Sequence, residues 1–474
     1  MLMKTDAHSL TEQLAAHFAE RIRNHLLVAG SRLPSVRQCA AQHQVSPSTV
    51  VAAYDRLLAE GLVEARKNRG FFIRETPSAL MASARAATNS DASATLPQRQ
   101  KPVNAAALMR GMFHGQNDRL QPGMGVFPPE WLANDFVAGA LRRAAAQYSD
   151  QSFQYGDPAG SIELRRALSK KLAGIHLHVG PEQFITTVGA THGLDVVSRT
   201  LLRAGDYVMV EEPGWSVEFA RLAALGARIL PVPRGPEGPD LAVMERYCQA
   251  HQPKLFVSVS VLHNPTGHSI SPGSAHRVLT LANAHNFYIA EDDTYSHLAP
   301  EHATRLCVLD GLQRTIYVSG FAKILAPGWR VGYIAAPQEL VEPLMETKLL
   351  ATLSTPSLLE HALAWCIDQG QLRRHAERVR TKLDQARTRS VKLALASGCT
   401  LASEPAGLFG WVDTGVDTDA LLQRLLDQGY MIAPGALFHA ERKPSTLMRI
   451  NFAATQEPAF WQAFVLARDA MRAG

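Results

Sequence analysis

Cysteine is scarce in this chain of 474 residues: Cys39, Cys248, Cys307, Cys366 and Cys399 are far apart and form no CxxC pair. That spacing excludes a disulfide scaffold or a zinc ribbon and fits a reducing compartment. Long apolar runs are missing as well. The opening MLMKTDAHSL has no apolar signal core, and no stretch approaches the ~18 apolar residues of a membrane span. The expectation is a soluble, cytoplasmic protein with no membrane partner and no metal. No internal repeat is visible. Charged residues are few, at 19%, beside 46% apolar ones, so a large core can be buried and a disordered chain is excluded. At roughly 150 residues per domain, the length suggests about three structural units.

The net charge of +5 is unevenly spread. Residues 1–75 hold ten Lys/Arg against seven Asp/Glu, residues 76–104 three against one, and residues 105–474 are balanced at 35 each. The excess lies in the first fifth of the chain, where it would favour a polyanion partner, although so small a surplus is weak evidence alone. Residues 76–104, TPSALMASARAATNSDASATLPQRQKPVN, are rich in Ala, Ser, Thr and Pro and nearly without bulky core residues. They read as a flexible linker between a short helix-rich unit, 1–75, and a large one, 105–474.

In the short unit, Leu10, Leu14, Phe18 and Ile22 recur at helical spacing. Ser35 can cap a helix through Ala41, and Ser46 with Pro47 opens another after a short turn, which suits a helix-turn-helix. Gly61 ends that helix. LVEA and GFFI then read as two short strands around the basic turn Arg66-Lys67-Asn68-Arg69-Gly70. Taken singly, Ser46, Ser48 and Thr49 are ordinary caps. Together with a basic hairpin they make a winged helix. Hydroxyls at a helix start can donate to phosphates while the helix enters the major groove. Arg37 could read guanine with its two-pronged guanidinium, and the Lys67/Arg69 turn could hold a phosphate or enter the minor groove. GSRLPSVR, SPSTV-x-x-AYDRLLAEGLV and RGFFI resemble the GntR-type winged helix along its length. That resemblance implies double-stranded operator DNA as partner, with Ser35, Arg37, Ser46, Ser48, Thr49, Lys67, Arg69 and Gly70 as contacts.

In the large unit, YVMVEEP (207–213), KLFVSVSVLHNPTG (254–267), NFYIAEDD (286–293) and RTIYVSGFAK (314–323) each run from β-branched and aromatic residues into a polar cluster. Strands of this kind, alternating with amphipathic helices, predict an α/β fold with a largely parallel sheet. Ligands bind such sheets beyond the carboxyl ends of the strands, where all four clusters fall. The tail from about residue 350 reads as a separate helix-and-strand subdomain. Lys323 alone would be a surface lysine. Its neighbours change that: Arg330 for an anion, Asn264 in HNPTG, Asp292 and Tyr295 in EDDTY, and VGATHG (188–193), whose amides could cradle a phosphate. These are the parts of a pyridoxal phosphate site. An amine bonds the aldehyde, a carboxylate keeps the pyridine nitrogen protonated, phenol and amide groups bind the ring oxygen, and Trp215 is the candidate to stack on the ring.

In order, YGDPAGSIELRRAL, TVGATHGLD, VEEPGW, HNPTG, EDDTY, the lysine, R-x-G-Y and MRINFA resemble the fold-type I aminotransferases, with a large sheet domain and a small subdomain. The resemblance implies pyridoxal 5'-phosphate on Lys323, with Asp292 at the pyridine nitrogen and Asn264 and Tyr295 at the ring oxygen. Ala190, Thr191 and Arg330 would hold the phosphate, Tyr155 would reach the phosphate of a neighbouring subunit, and Arg449 would clamp an amino-acid carboxylate. The family's hydroxyls three positions and one position before the lysine are here Gly320 and Ala322. Ser319, one place earlier, is the hydroxyl left to serve, and Trp215 replaces a commoner tyrosine. The whole chain resembles the MocR family of bacterial transcriptional regulators. This implies a head-to-tail homodimer in which the cofactor senses an amine, amino acid or related effector. A working aminotransferase with an accessory DNA-binding unit is the alternative, and a regulator that has lost the cofactor is a third reading.

Overall fold

The computed structural model describes residues 9–23, 27, 30–66, 69–74, 121–132 and 135–473. The chain divides into two compact units, residues 1–118 and 119–474. The expected linker at 76–104 and the expected contact Lys67 lie outside the described residues.

The first unit contains α1 (Leu10–Arg23), α2 (Val36–His43), α3 (Pro47–Ala59), β1 (Val63–Arg66) and β2 (Gly70–Ile73). Leu14, Phe18 and Ile22 share one face of α1 and join Cys39, Val50, Ala53, Tyr54, Leu57, Val63 and Ile73 in one core. Leu10, at the start of the same stripe, is only half-buried. Each helix has a chemical reason to begin. Ser35 forms a reciprocal cap with Gln38 ahead of α2, and Ser46 with Pro47 starts α3. Gly61, at φ +68°, turns the chain out of α3, a conformation that favours glycine. The β1–β2 hairpin pairs Val63 with Ile73, and the Arg66 guanidinium lies 4.5 Å from the Phe72 ring centre.

The second unit is built on an eight-stranded sheet in the order β3-β10-β9-β8-β7-β4-β5-β6. Its strands are β3 (Phe184–Thr187), β4 (Tyr207–Glu212), β5 (Arg228–Gly235), β6 (Gly238–Pro239), β7 (Leu255–Ser258), β8 (Tyr288–Asp292), β9 (Thr315–Gly320) and β10 (Gly332–Ala335). The five central strands β5, β4, β7, β8 and β9 run parallel, whereas β10 is antiparallel to both β9 and β3. Alternate residues of each strand enter different cores. Val208, Val210, Leu255, Val257 and Ala290 pack with Leu194 and Val197 of the helix Ala190–Leu201. Met209, Phe256 and Ile289 pack instead with Met244, Val278 and Ala282. Burial on both faces is why these strands read as continuous apolar runs. A second sheet, in the order β11-β12-β14-β13, comprises β11 (Thr400–Leu401), β12 (Phe409–Asp413), β13 (Ala433–Pro434) and β14 (Leu447–Asn451), all antiparallel.

Candidate functional site

Parallel strands bring their carboxyl ends to one edge, and there β8, β9 and the turn after β7 deliver most of the expected residues. Asp292 is the last residue of β8, where Thr294 donates to its Oδ1 from both N and Oγ1. It is 8% exposed, and among the described residues no cation pairs with it. Burial, aided by the charges of Glu218 and Asp293, pushes its pKa up to about 6 against the two Thr294 bonds. A buried carboxylate in want of a cation is the partner a pyridine N–H requires.

Lys323 follows β9 by three residues and is half-buried. Its Nζ donates to Gly125 O at 2.6 Å. Burial lowers its pKa to about 8, helped by the positive charges of Arg449 and Arg330 and opposed by Asp292. An amine that sheds its proton near neutral pH is prepared to meet an aldehyde. Asn264 is buried, and its Oδ1 accepts from Arg449 Nη1 at 2.9 Å. Tyr295 is buried edge-on to Phe409, their ring centres 5.5 Å apart, and burial raises its phenol pKa. Arg449 lies in β14 between Phe409 and Phe438, at 4.3 and 5.1 Å from the ring centres. Burial lowers its pKa to about 10, and among the described residues no carboxylate pairs with it. Such a site favours a ligand carboxylate.

The anion cradle is formed by the start of the helix Ala190–Leu201. Gly189 is its N-cap at φ +79° and supplies no side-chain bond, so no cap covers the amides of Ala190 and Thr191. Beside them, Arg330 donates from Nη2 to Val188 O at 3.2 Å. Three glycines keep the space open: a Cβ on Gly189 would strike the Arg330 guanidinium, one on Gly332 would strike Gly189 and Ala190, and one on Gly320 would lie 3.3 Å from Ala190 N.

Not every expectation converges there. Ser319 precedes Gly320 on β9 and therefore points to the opposite face. It is fully buried, and its Oγ donates to Asp293 O at 2.8 Å. The structure thus places this hydroxyl behind the sheet edge, not at the cradle, and its expected cofactor contact is corrected accordingly. Trp215 is half-buried at the N-cap of the helix Ser216–Ala224, one turn before Glu218, whose charge reaches Asp292. Tyr155 is 86% exposed, so within its own chain it is not part of the pocket. One residue absent from the sequence-based site belongs to it. His192 Nδ1 accepts from Val188 N at 3.0 Å, gripping from the other side the residue whose carbonyl receives Arg330. Burial lowers its pKa, keeping the accepting nitrogen unprotonated. Its position as third residue of a helix that begins with glycine was the available signal.

In the first unit, Ser35, Arg37, Ser46, Ser48 and Arg69 are exposed and Thr49 and Gly70 half-buried. Ser46 Oγ accepts from Thr49 N at 3.1 Å and shares hydroxyl bonds with Ser48 at 2.7 Å and Thr49 at 2.8 Å. Gly70 is at φ +97°, and a Cβ there would crowd the Arg32 guanidinium.

Residues 132–461 match the family model for aminotransferase class I and II, and the chain belongs to that family. Residues 10–73 match the model for bacterial regulatory proteins of the gntR family, which brings DNA binding. The succession of these two domains is that of the MocR family. Among its relatives, the uncharacterized HTH-type transcriptional regulator YisV of Bacillus subtilis (strain 168) is 24% identical over 94% of this chain and 93% of its own. The corresponding regulator YdcR of Escherichia coli (strain K12) is 27% identical over 93% and 94%. LysN, an alpha-aminoadipate aminotransferase from Thermus thermophilus, shares the fold with a TM-score of 0.71. It is 24% identical and covers 77% of this chain and 95% of its own. Among the described residues no helix is long and apolar enough to cross a membrane. Pyridoxal phosphate is the family's cofactor, and the cradle, the unpaired Asp292 and the low-pKa lysine fit it.

Proposed function

We propose that this protein is a pyridoxal phosphate-dependent transcriptional regulator whose aminotransferase-like unit senses a small amine or amino acid. The observation that carries the reading is the conjunction, in one chain, of a gntR-type winged helix and a site fitted to the cofactor. Bound there, pyridoxal phosphate supplies an electron sink and an aldehyde that primary amines can occupy. The chain's own residues do the rest. Lys323 would hold the cofactor covalently, Asp292 would keep a proton on the ring nitrogen, and Asn264 and Tyr295 would fix the ring oxygen. Ala190, Thr191 and Arg330 would neutralise the phosphate, Trp215 would cover the ring, and Arg449 would orient an effector carboxylate. Residues 1–75 would bind DNA through Ser35, Arg37, Ser46, Ser48, Thr49, Lys67, Arg69 and Gly70. Residues 76–104 would link them to the effector and dimerisation unit at 105–474.

The exposed Tyr155 supports a head-to-tail homodimer in which it serves the partner's cofactor phosphate. The cytoplasm is the proposed compartment. An effector would act by favouring one dimer conformation, by the same free energy that changes DNA affinity. The visible absorption spectrum, before and after borohydride and beside Lys323→Ala, tests the cofactor reading. A yellow band that borohydride abolishes, leaving the cofactor fixed at Lys323, supports it; a protein colourless even with added pyridoxal phosphate refutes it. Operator binding at fixed salt with candidate amines and amino acids then tests sensing.

The alternative is a working aminotransferase with an accessory DNA-binding unit. Its support is the intact ring-binding set, with a lysine amine whose low pKa suits proton transfer. Multiple turnovers with an amino acid and a keto acid would favour it.

A further inference from the structure

Two carbonyls of one short segment, residues 121–127 (QPGMGVF), lie on the two groups that the proposed ligands require. Gly125 O accepts from Lys323 Nζ at 2.6 Å, and Gly123 O accepts from Arg449 Nη2 at 2.5 Å. Arg449 Nη1 is held by Asn264, and its Nε is buried without an acceptor among the described residues. The guanidinium fork is therefore partly occupied by backbone of its own chain.

The segment is fastened to the second sheet. Asn451, fully buried at the end of β14, donates both Nδ2 hydrogens, to Met124 O at 2.8 Å and Val126 O at 2.6 Å. Its Oδ1 accepts from Ala453 N at 2.9 Å, so every hydrogen-bonding group of the amide has a distinct partner and its orientation is determined. The Asn451 backbone N–H donates to Pro122 O at 2.9 Å. At the segment's start, Gln121 Oε1 accepts from Met431 N at 2.8 Å, and Gly123 N donates to Met431 O at 2.8 Å. A Cβ on Gly123 would overlap the backbone of Ile432 and Ala433, so the two chain segments are in closed contact.

We propose that Asn451 is a positioning residue that holds segment 121–127 as a strap across Lys323 and Arg449, which a ligand must displace. This rests on the reading of those two residues as ligand anchors. A carboxylate offered to Arg449 replaces a neutral carbonyl, and charge-assisted bonds are roughly twice as strong as neutral ones. A simple amine that reaches Lys323 competes with Gly125 alone; an amino acid competes with Gly123 as well. Only an amino acid, then, frees both Gly123 and Gly125; a plain amine leaves the Arg449 end of the strap in place.

The test is the rate at which formaldehyde and cyanoborohydride methylate Lys323 in the full-length protein, freed of any bound pyridoxal phosphate by hydroxylamine, read by peptide mass spectrometry from pH 6 to 10. Wild type is compared with Gln121→Ala and Asn451→Ser. Removing the strap's fastenings should speed labelling about three- to tenfold, the weight of one hydrogen bond. It should also move the pH midpoint downward, because the accepting carbonyl favours the ammonium form. Arg449, Arg330 and Asp292 face the same amine and remain in place in each variant. Lys348, another buried lysine, is the internal reference: its labelling should not change. A mere loosening of the fold would label both lysines. Equal rates and midpoints for Lys323 in wild type and Gln121→Ala would overturn the proposal, and Gln121→Ala decides if Asn451→Ser does not fold. A colourless protein with strap-dependent labelling would lose the cofactor and keep the strap. A yellow protein with strap-independent labelling would do the reverse.

Discussion

Helix α3 and the helix Ala190–Leu201 both begin where a phosphate is expected, a DNA backbone in one unit and the cofactor in the other, yet their first turns are built differently. Ahead of α3, Ser46 closes the turn by accepting from Thr49 N, and its hydroxyl is further bonded to Ser48 and Thr49. Ahead of the other helix stands Gly189, which has no side chain to offer, and His192 reaches past it to Val188. The α3 start is complete without its partner, as suits a module that must leave and rejoin DNA. The second start has no side-chain cap over its leading amides, and the Arg330 charge beside them makes it a site that an anion completes.

The largest test of this contrast is Gly189→Ala. It adds a Cβ at φ +79° and drives it into the Arg330 guanidinium. Strain of about 1–3 kcal/mol should weaken pyridoxal phosphate roughly 10- to 100-fold in absorbance titrations, with DNA binding by the winged helix untouched. On the DNA side, Arg37→Ala should cost about 1–3 kcal/mol of operator affinity and relax specificity. Arg69→Ala should instead weaken operator and random DNA alike and lower the salt slope by about one. Equal loss of operator and random DNA in Arg37→Ala would contradict base reading.

His192 gives a finer test. His192→Leu removes the acceptor for Val188 N and should weaken the cofactor by about 1 kcal/mol, while His192→Gln, whose carbonyl can reach back as in a capping box, should retain it. If both variants lose affinity equally, packing and not the hydrogen bond is what matters there. Ser46→Ala, the counterpart at α3, should lower the stability of the winged helix by about 1 kcal/mol in thermal unfolding and leave cofactor affinity unchanged.

The smallest effect is a pH slope. Burial raises Asp292 to about 6 from its ordinary 3.8, so the cofactor-free fold holds that proton more tightly than the unfolded chain does. Its contribution to stability is present below 3.8 and is lost as pH rises through about 6. A pyridine N–H facing the carboxylate would cancel that loss. The melting temperature of the loaded protein should therefore pull away from that of the cofactor-free protein between pH 4 and pH 7. Parallel curves would place the ring nitrogen elsewhere.

Much of this arrangement was legible in order and spacing. The capping serines, the Leu14–Phe18–Ile22 stripe and the hairpin follow from local rules, because each acts within a few residues. The apolar strands announced a sheet buried on both faces, and Lys323, Asp292 and Asn264 stand at or after the carboxyl ends of three of them. Ser319 was misjudged because one position along a strand exchanges the faces of the sheet. Its hydroxyl went to Asp293 O and glycine was left at the cradle. Asn451 stood inside the MRINFA motif, but nothing in the sequence showed what it holds, since its partners Met124 and Val126 lie more than 320 residues away.

Sequence by itself determined the strand and helix types, the fold class and the family. These depend on periodicity, caps and residue order, which are local properties of the chain. Tertiary structure alone decided which face Ser319 takes, that Asp292 is buried with no ion pair among the described residues, that His192 grips Val188 and that the 121–127 segment crosses Lys323 and Arg449. Each of these depends on burial and on distances between remote parts of the chain, and neither exists until the sheets have closed around the site.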